Sequence, residues 1–236
     1  SVADEAGRLY IAKFPSIRDT YDVGGWEMVV NALADGCGLQ VAPAQARKFA
    51  SDYHCFMVSR FDRTDTGQRL HFASAMTMTG HSDGDDASTG VSYLELAEVI
   101  MGHGAQPNAD LRELWSRIVF NILVSNTDDH LRNHGFILVP GKGWKLSQAY
   151  DMNPVAHADG LKLNITDADN ALDLELAREV AGYFRLNIQE ADATIEEFRS
   201  IVGQWRVVAQ QVGLSASEQD RMAGAFRLAD SDAASP

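Results

Sequence analysis

Hydrophobic positions alternate with polar ones near the start of the chain and then change to a helical period. Residues 8–14, RLYIAKF, alternate and are rich in strand-forming side chains. Residues 23–39 have helical spacing, with Trp26 and Leu33 among the apolar positions of one face. Residues 53–62, YHCFMVSRFD, form a strand-like apolar run. The start of the chain is therefore predicted to fold as strand, helix and strand.

Helical spacing dominates the remainder of the chain. Four segments have it: residues 92–101, 111–124, 173–184 and 193–212. The second of these segments has a wide apolar face and is predicted to be deeply buried. Ser215, followed three residues later by Glu218, has the pattern of a capping box and predicts a last helix.

A β-hairpin interrupts the helices. GFILV and WKLSQAY flank the turn residues Pro140-Gly141-Lys142-Gly143, which predicts a hairpin over residues 135–149. The whole pattern predicts an α+β fold, with a small strand-containing part at residues 1–61 and a larger helical part at residues 62–236 that contains the hairpin. A polar segment lies between the most apolar helix and the hairpin, so its side chains are predicted to be rigidly mounted.

Composition and charge narrow the class of protein. The chain has 236 residues, of which 45% are hydrophobic, and a net charge of -13, which argues against broad electrostatic capture of nucleic acid or of an anionic membrane. Cys37 and Cys55 are the two cysteines and lack metal-binding spacing, which favours a reducing cytoplasm. We expect a cytoplasmic protein, because no apolar run is long enough to cross a bilayer. Ser1 is not an initiating methionine, so the chain is expected to begin inside a longer gene product.

The polar segment NTDDHLRN contains the spacing of a phosphoryl-transfer site. Such a site needs a carboxylate that orients the attacking hydroxyl and oxygen ligands that hold magnesium across the phosphates. In protein kinases a catalytic aspartate precedes a metal-binding asparagine by five residues, and a metal-binding aspartate follows later. Asp128 and Asn133 have this spacing, and Asp151 lies just past the hairpin. We predict Asp128 as the base, with Asn133 and Asp151 as magnesium ligands.

A second pair of residues supports the same chemistry. A kinase needs a lysine on a strand to hold the α- and β-phosphates, paired with a glutamate on the next helix. Lys13 lies in the first predicted strand, and Glu27 lies near the start of the first predicted helix. Each residue alone is more typical of a solvated surface. Together with the downstream aspartates, they favour a nucleotide site.

These segments resemble the HipA-type serine/threonine kinases, the toxins of bacterial toxin-antitoxin modules. The resemblance rests on NILVSNTDDHLRNHGFIL, on W-x-L-x-x-AYD, on YIAKFP and on VSRFDR, and it extends over nearly the whole chain. It implies a two-lobed protein-kinase-like fold in which Val58 to Phe61 form the hinge against adenine, with contacts from Ser59 and Phe61. It also implies that His130 and Arg132 approach the phosphates.

The resemblance further implies ATP as substrate, Mg²⁺ as cofactor and transfer to a serine or threonine of a protein. That protein would be a translation factor such as an aminoacyl-tRNA synthetase, and a DNA-binding antitoxin would be a partner. The strand-containing part would then be a partial N-lobe, since the family's glycine-rich phosphate loop lies before the strand at residues 8–14 and Ser1 begins after it.

Two other interpretations fit parts of the sequence. A kinase-like protein with impaired catalysis would engage an antitoxin or another protein without transferring phosphate, and the position of Ser1 favours it. A metal-dependent hydrolase would use His130 and His134, which are four residues apart, together with Asp128 and Asp129. The exit from this segment into a predicted strand argues against the helical geometry that such a metal site needs.

Overall fold

An antiparallel sheet and one helix form the N-terminal part of the computed structural model, which describes residues 1–5, 7–64 and 66–230. The elements are β1 (Val2–Ala3), β2 (Leu9–Lys13), α1 (Val23–Gly36), β3 (Ala44–Arg47) and β4 (Cys55–Ser59). The strands lie in the order β1, β2, β4, β3, and Lys13 is opposite Phe56 in the register of the two central strands. The predicted strand, helix and strand are confirmed.

The rest of the described chain is mostly helical. Its elements are β5 (Phe72–Ser74), α2 (Ala75–Thr79), α3 (Tyr93–His103), α4 (Pro107–Leu123), β6 (Gly135–Val139), β7 (Gly143–Leu146), α5 (Leu174–Val180), α6 (Ile188–Val202), α7 (Trp205–Val212) and α8 (Ala216–Met222). β5, β6 and β7 form an antiparallel sheet in that order. None of the helices in the described ranges is both long enough and apolar enough to span a membrane.

Helix α4, which the sequence predicted to be deeply buried, lies in the middle of the core. Trp115 is completely buried, and its indole nitrogen donates to the carbonyl oxygen of Ala177 at 2.7 Å. Arg117 is also buried, and its guanidinium donates to Glu113 and to the carbonyl oxygen of Ser147 at 2.7 Å each. Because every residue from Arg117 to Leu123 of α4 is buried, the loop that follows its C-terminal end starts from a rigid support.

Aromatic packing joins α1 to the C-terminal helices. The rings of Trp26 and Trp205 lie 6.0 Å apart, and Trp205 stacks on Phe226 at 4.5 Å. All three side chains are fully buried. Aromatic pairs at these distances stabilise beyond their buried area. The helix that holds Glu27 is therefore anchored to the helical part as well as to its own sheet.

The structure differs from the sequence prediction at several places, and the short elements β1 and α2 were among those not predicted. Strand Ala44–Arg47 was not predicted, because AQAR has weak strand propensity and pairs only through its neighbour β4. Strand Phe72–Ser74 adds a third strand to the predicted two-stranded hairpin. The helical run at residues 193–212 is broken at Gly203 into α6 and α7. Ser215 caps α8 as predicted, but the Glu218 carboxylate accepts from the Trp26 indole at 3.3 Å instead of completing the box.

A glycine at the start of α1 permits a close approach between the helix and β4. A Cβ atom at Gly24 would overlap the carbonyl oxygen of His54, whereas one at Gly102 in α3 would meet nothing within 4 Å. We expect Gly24→Ala to lower the free energy of unfolding by about 1–3 kcal/mol, the usual cost of overpacking. Gly102→Ala is the matched control and is expected to leave stability unchanged or raise it, since alanine favours a helix. Urea denaturation of both variants checks this, and equal midpoints would contradict the close approach.

Candidate active site

A cleft of about 410 Å³ opens between the N-terminal sheet and the β5–β7 sheet. Its lining comprises Ile11, Lys13, Glu27, Asn31, Phe56, Val58, Ser59, Arg60, Phe61, Asp62, Phe72, Arg132, Tyr150, Asp151 and Met152. Seven residues predicted for nucleotide or metal binding are among them: Lys13, Glu27, Val58, Ser59, Phe61, Arg132 and Asp151. The fold thus brings the predicted residues of the N-terminal part together with Arg132 and Asp151, which are far away in the sequence.

Lys13 pairs with two carboxylates inside this cleft. Its ammonium lies 2.6 Å from the Glu27 carboxylate and also forms an ion pair with Asp151. Glu27 is buried on α1, whereas Asp151 is partly exposed. Burial lowers the pKa of Lys13, but Glu27 and Asp151 outweigh it and the net direction is upward. Lys13 is therefore a permanent cation held by one buried and one accessible carboxylate.

Glu27 is the residue of this group whose charge changes near neutral pH. Burial raises its pKa to about 7, although Lys13 opposes the shift. Below that pKa Glu27 gains a proton and binds Lys13 less strongly, because a hydrogen bond between charged partners is roughly twice as strong as a neutral one. For the nucleotide that the sequence predicts in this cleft, we expect the KM to rise severalfold as the pH falls from above 7 to below it. Glu27→Gln is expected to have, at every pH, the higher KM that the unaltered protein has at low pH. A pH dependence of KM that persists in this variant would contradict the assignment of the titration to Glu27.

The loop after α4 presents Asp128 to solvent. Val124 ends the helix with its N–H bonded to the carbonyl oxygen of Phe120, and Ser125 then takes a left-handed conformation at φ 49°. Asp128 is exposed, and its carbonyl oxygen accepts from the Asn133 amide at 3.1 Å. Asn133 itself is buried. The predicted base and one predicted metal ligand thus belong to one closed loop.

Asp129, which the kinase spacing leaves without a role and the hydrolase interpretation uses as a metal ligand, is buried in the structure. It is 3% exposed, and one of its carboxylate oxygens accepts from Tyr93 at 2.6 Å, Asn121 at 2.9 Å and His134 at 2.7 Å. No pattern of hydrophobicity identifies such a residue, because it is a charged side chain at a helix exit and its partners come from three separate elements. The two neighbouring aspartates therefore have opposite environments.

A second cavity of about 210 Å³ lies on the other side of Arg132. Asp128, His130 and Arg132 line it together with the loop at residues 82–86 and Lys162. The guanidinium of Arg132 contacts the ring of His130 at 3.1 Å and forms an ion pair with Asp83. Arg132 is the predicted site residue that lines both cavities. The larger cleft and the side of the loop that exposes Asp128 are therefore adjacent.

Aromatic rings form the apolar end of the larger cleft. The ring of Phe61 lies 5.4 Å from that of Tyr150 and 6.1 Å from that of Phe72. The hydroxyl of Tyr150 donates to the carbonyl oxygen of Arg132 at 2.6 Å, so the ring is held in place. Tyr150 and Phe72 were not predicted as site residues, although Tyr150 directly precedes Asp151. Their rings and Val58 make a surface suited to a flat, apolar group such as a nucleobase.

Asp151 and Asn133 carry oxygen atoms of the kind that magnesium prefers, although Asp151 lines the larger cleft and Asn133 lines neither cavity. Asp151 offers a partly exposed carboxylate and Asn133 an amide oxygen, and magnesium is commonly held by one or two protein oxygens with water and phosphate in the remaining positions. His130 and His134 have different surroundings: His130 bonds to Arg132, while His134 is buried against Asp129. Within the described ranges no three His, Cys, Asp or Glu residues are grouped as metal ligands.

The architecture is that of kinase-like proteins of known structure. HipA of the Shewanella oneidensis toxin-antitoxin system, solved with HipB and its operator DNA, matches 95% of this chain and 57% of its own at a TM-score of 0.73 and 20% identity. The proinflammatory kinase CtkA of Helicobacter pylori matches 96% of this chain and 91% of its own at a TM-score of 0.58 and 12% identity. At these identities the likeness concerns the fold.

The family follows from the sequence match. The model of the HipA-like C-terminal domain matches residues 1–205, and the chain belongs to that family. A candidate kinase of Haemophilus influenzae is 31% identical over 137 residues, which cover 56% of this chain and 37% of the relative. The candidate kinase Y4mE of Sinorhizobium fredii is 29% identical over 157 residues, which cover 63% of this chain and 35% of the relative. The chain thus spans about a third of the length of the curated relatives it matches.

Proposed function

We propose that the protein transfers the γ-phosphoryl group of ATP to a serine or threonine hydroxyl of a protein in the presence of Mg²⁺. The observation that carries this proposal is the meeting of Lys13, Glu27 and Asp151 in one cleft, beside the loop that exposes Asp128. A strand lysine paired with a helix glutamate, opposite an aspartate that follows a hairpin, is the arrangement that phosphoryl transfer needs.

Each side chain has a definite task in this proposal. Lys13, held by Glu27, binds the α- and β-phosphates, and Asp151 and Asn133 would hold Mg²⁺. The bound cation would neutralise charge on the β- and γ-phosphates. Asp128 orients the attacking hydroxyl and accepts its proton.

The remaining cleft residues would bind the rest of the nucleotide. The backbone from Val58 to Phe61 would contact adenine, with the ring of Tyr150 against the base. His130 and Arg132 would approach the phosphates from the loop that holds Asp128. Arg132 would then exchange its ion pair with Asp83 for a phosphate, since a guanidinium matches a phosphate at least as well as a carboxylate.

The acceptor would enter through the smaller cavity. Asp128 lines that cavity and is exposed there, while the nucleotide occupies the larger cleft on the other side of Arg132. The γ-phosphate and the acceptor hydroxyl would then meet at the loop of residues 128–133. A cytoplasmic protein substrate such as an aminoacyl-tRNA synthetase or another translation factor, and a DNA-binding antitoxin as partner, complete the proposal, with residues 1–61 and 62–236 as the two lobes.

The test is a labelling assay with the full-length gene product. ATP labelled in the γ-phosphate is incubated with the protein, Mg²⁺ and a bacterial lysate, and labelled proteins are analysed for phosphoserine and phosphothreonine. The proposal expects label on protein hydroxyls that disappears when Mg²⁺ is chelated. Binding of Mg-ATP without any transfer would instead support a kinase-like binding protein.

A further inference from the structure

A chain of buried polar side chains connects the loop of Asp128 with the segment of Asp151. We call it the buried polar network, and its members are Tyr93, Asn121, Asn126, Asp129 and His134. Asp129 accepts from the Asn121 amide, and the Asn121 oxygen accepts from the Asn126 amide at 3.0 Å. All five side chains are buried. They come from α3, from α4, and from the loop between α4 and β6.

The network ends at the backbone beside Asp151. The oxygen of the Asn126 side chain accepts from the backbone N–H of Asn153 at 3.1 Å, two residues after Asp151. The N–H of Val155 donates to the carbonyl oxygen of Ser125 at 3.1 Å. Asp151 itself has a left-handed backbone at φ 61°, a conformation that a residue other than glycine keeps only when its surroundings hold it. The segment of Asp151 is thus tied to the same turn that carries Asp128.

Asp129 is the charged centre of this network. Three donors converge on a single oxygen of its carboxylate, and two of them, Tyr93 and His134, are also in edge contact with each other. Burial alone would raise the pKa of Asp129, but His134 and Tyr93 turn the net shift downward, so the carboxylate keeps its charge. A buried charge with three donors holds its partners in one geometry, because any displacement leaves it unpaired.

We propose that Asp129 is a positioning residue which, through Asn121 and Asn126, fixes the placement of Asp128 relative to Asp151. The inference rests on the proposed function for its consequence on the reaction, while the structural link stands without it. Asp129 touches neither substrate. It holds the loop in which its neighbour Asp128 would meet the acceptor. Through the side-chain amides of Asn121 and Asn126, it also holds the segment in which Asp151 would meet the metal. A displacement of about 1 Å between such groups lowers the rate of reaction about a hundredfold.

The test compares two isosteric changes on buried aspartates. Asp129→Asn removes the charge at the centre of the network. Asp110→Asn is the matched control, because Asp110 is also buried and accepts a backbone N–H, that of Leu146 at 3.0 Å. Asp110 lies near the opposite end of α4, about 20 Å along the helix from its C-terminal end at 1.5 Å per residue. Tyr93→Phe deletes one donor with little change in shape and serves if Asp129→Asn does not fold.

The expected result has a kinetic and a structural part. Asp129→Asn lowers kcat about tenfold or more and changes the KM for ATP less than about threefold, as expected for a loss of stabilisation confined to the transition state. Asp110→Asn changes neither constant. Tyr93→Phe has the same pattern with a smaller loss. Amide hydrogen exchange in Asp129→Asn becomes faster at residues 151–155 as well as at residues 126–133 and is unchanged in α6.

Two outcomes would overturn the inference. In the first, kcat of Asp129→Asn, or of Tyr93→Phe if the former does not fold, stays within about twofold of that of Asp110→Asn. In the second, exchange at residues 151–155 is the same as in the unaltered protein. If the unaltered protein transfers no phosphate, the proposed function fails, and the exchange measurement alone decides whether the network links the two loops.

Discussion

Replacement of Asp128 by alanine is expected to lower the rate of phosphoryl transfer by roughly 10² to 10⁴-fold, the usual contribution of a positioned acid or base. Asp128 is exposed at the smaller cavity, whereas the cleft of Lys13 and Glu27 lies on the other side of Arg132. Binding of Mg-ATP should therefore change little. The measurement is steady-state transfer to a protein acceptor together with calorimetric titration of Mg-ATP.

Asp167→Ala is a suitable control for this loss. Asp167 is also an exposed aspartate, and it lines neither cavity. Its removal changes the net charge of the protein by the same amount as the removal of Asp128. Equal transfer rates for the two variants would mean that charge, and not the position of Asp128, determines activity.

Replacement of Asp151 by asparagine is the second change with a large expected effect. We expect transfer to fall on the order of a hundredfold or more, because the variant loses a charged ligand for the cation that neutralises the transferred phosphoryl group. The Mg²⁺ concentration for half-maximal activity should rise. Lys13 keeps its bond to Glu27 at 2.6 Å, so binding of ATP in the absence of Mg²⁺ should be largely retained.

The control for this variant is Asp159→Asn, in the same segment that follows the hairpin. Asp159 is exposed and lines neither cavity. A titration of activity against Mg²⁺ at saturating ATP distinguishes the two variants. An Asp151→Asn protein with the Mg²⁺ dependence of the Asp159→Asn protein would remove Asp151 from the set of proposed metal ligands.

The arrangement of the candidate site was largely predictable because its key spacings are local, while the roles of its residues remain predictions. Asp128 and Asn133 lie on one short loop, and a hairpin returns Asp151 to the end of that loop. The meeting of Lys13 with Glu27 could be predicted because a strand and the helix that follows it pack side by side. That Lys13 also pairs with Asp151 was beyond a local pattern, since 138 positions separate them.

Other features depend on packing that a single sequence does not display. Asp129 looks the same as Asp128 in sequence, and only the positions of Tyr93, Asn121 and His134 decide that it is buried. The strand Ala44–Arg47 forms because β4 offers it a free edge, not because of its own propensity. The break at Gly203 separates two helices whose apolar faces continue in phase, so periodicity alone predicts one helix.

The most direct test of the central claim is the transfer of labelled γ-phosphate by the full-length gene product at saturating Mg-ATP, measured in parallel for the unaltered protein and for Asp128→Ala. We predict phosphoserine or phosphothreonine on a protein acceptor with the unaltered protein, and a rate lower by at least about a hundredfold with the variant. No transfer by the unaltered protein, or equal transfer by both, would contradict a kinase that uses the loop after α4.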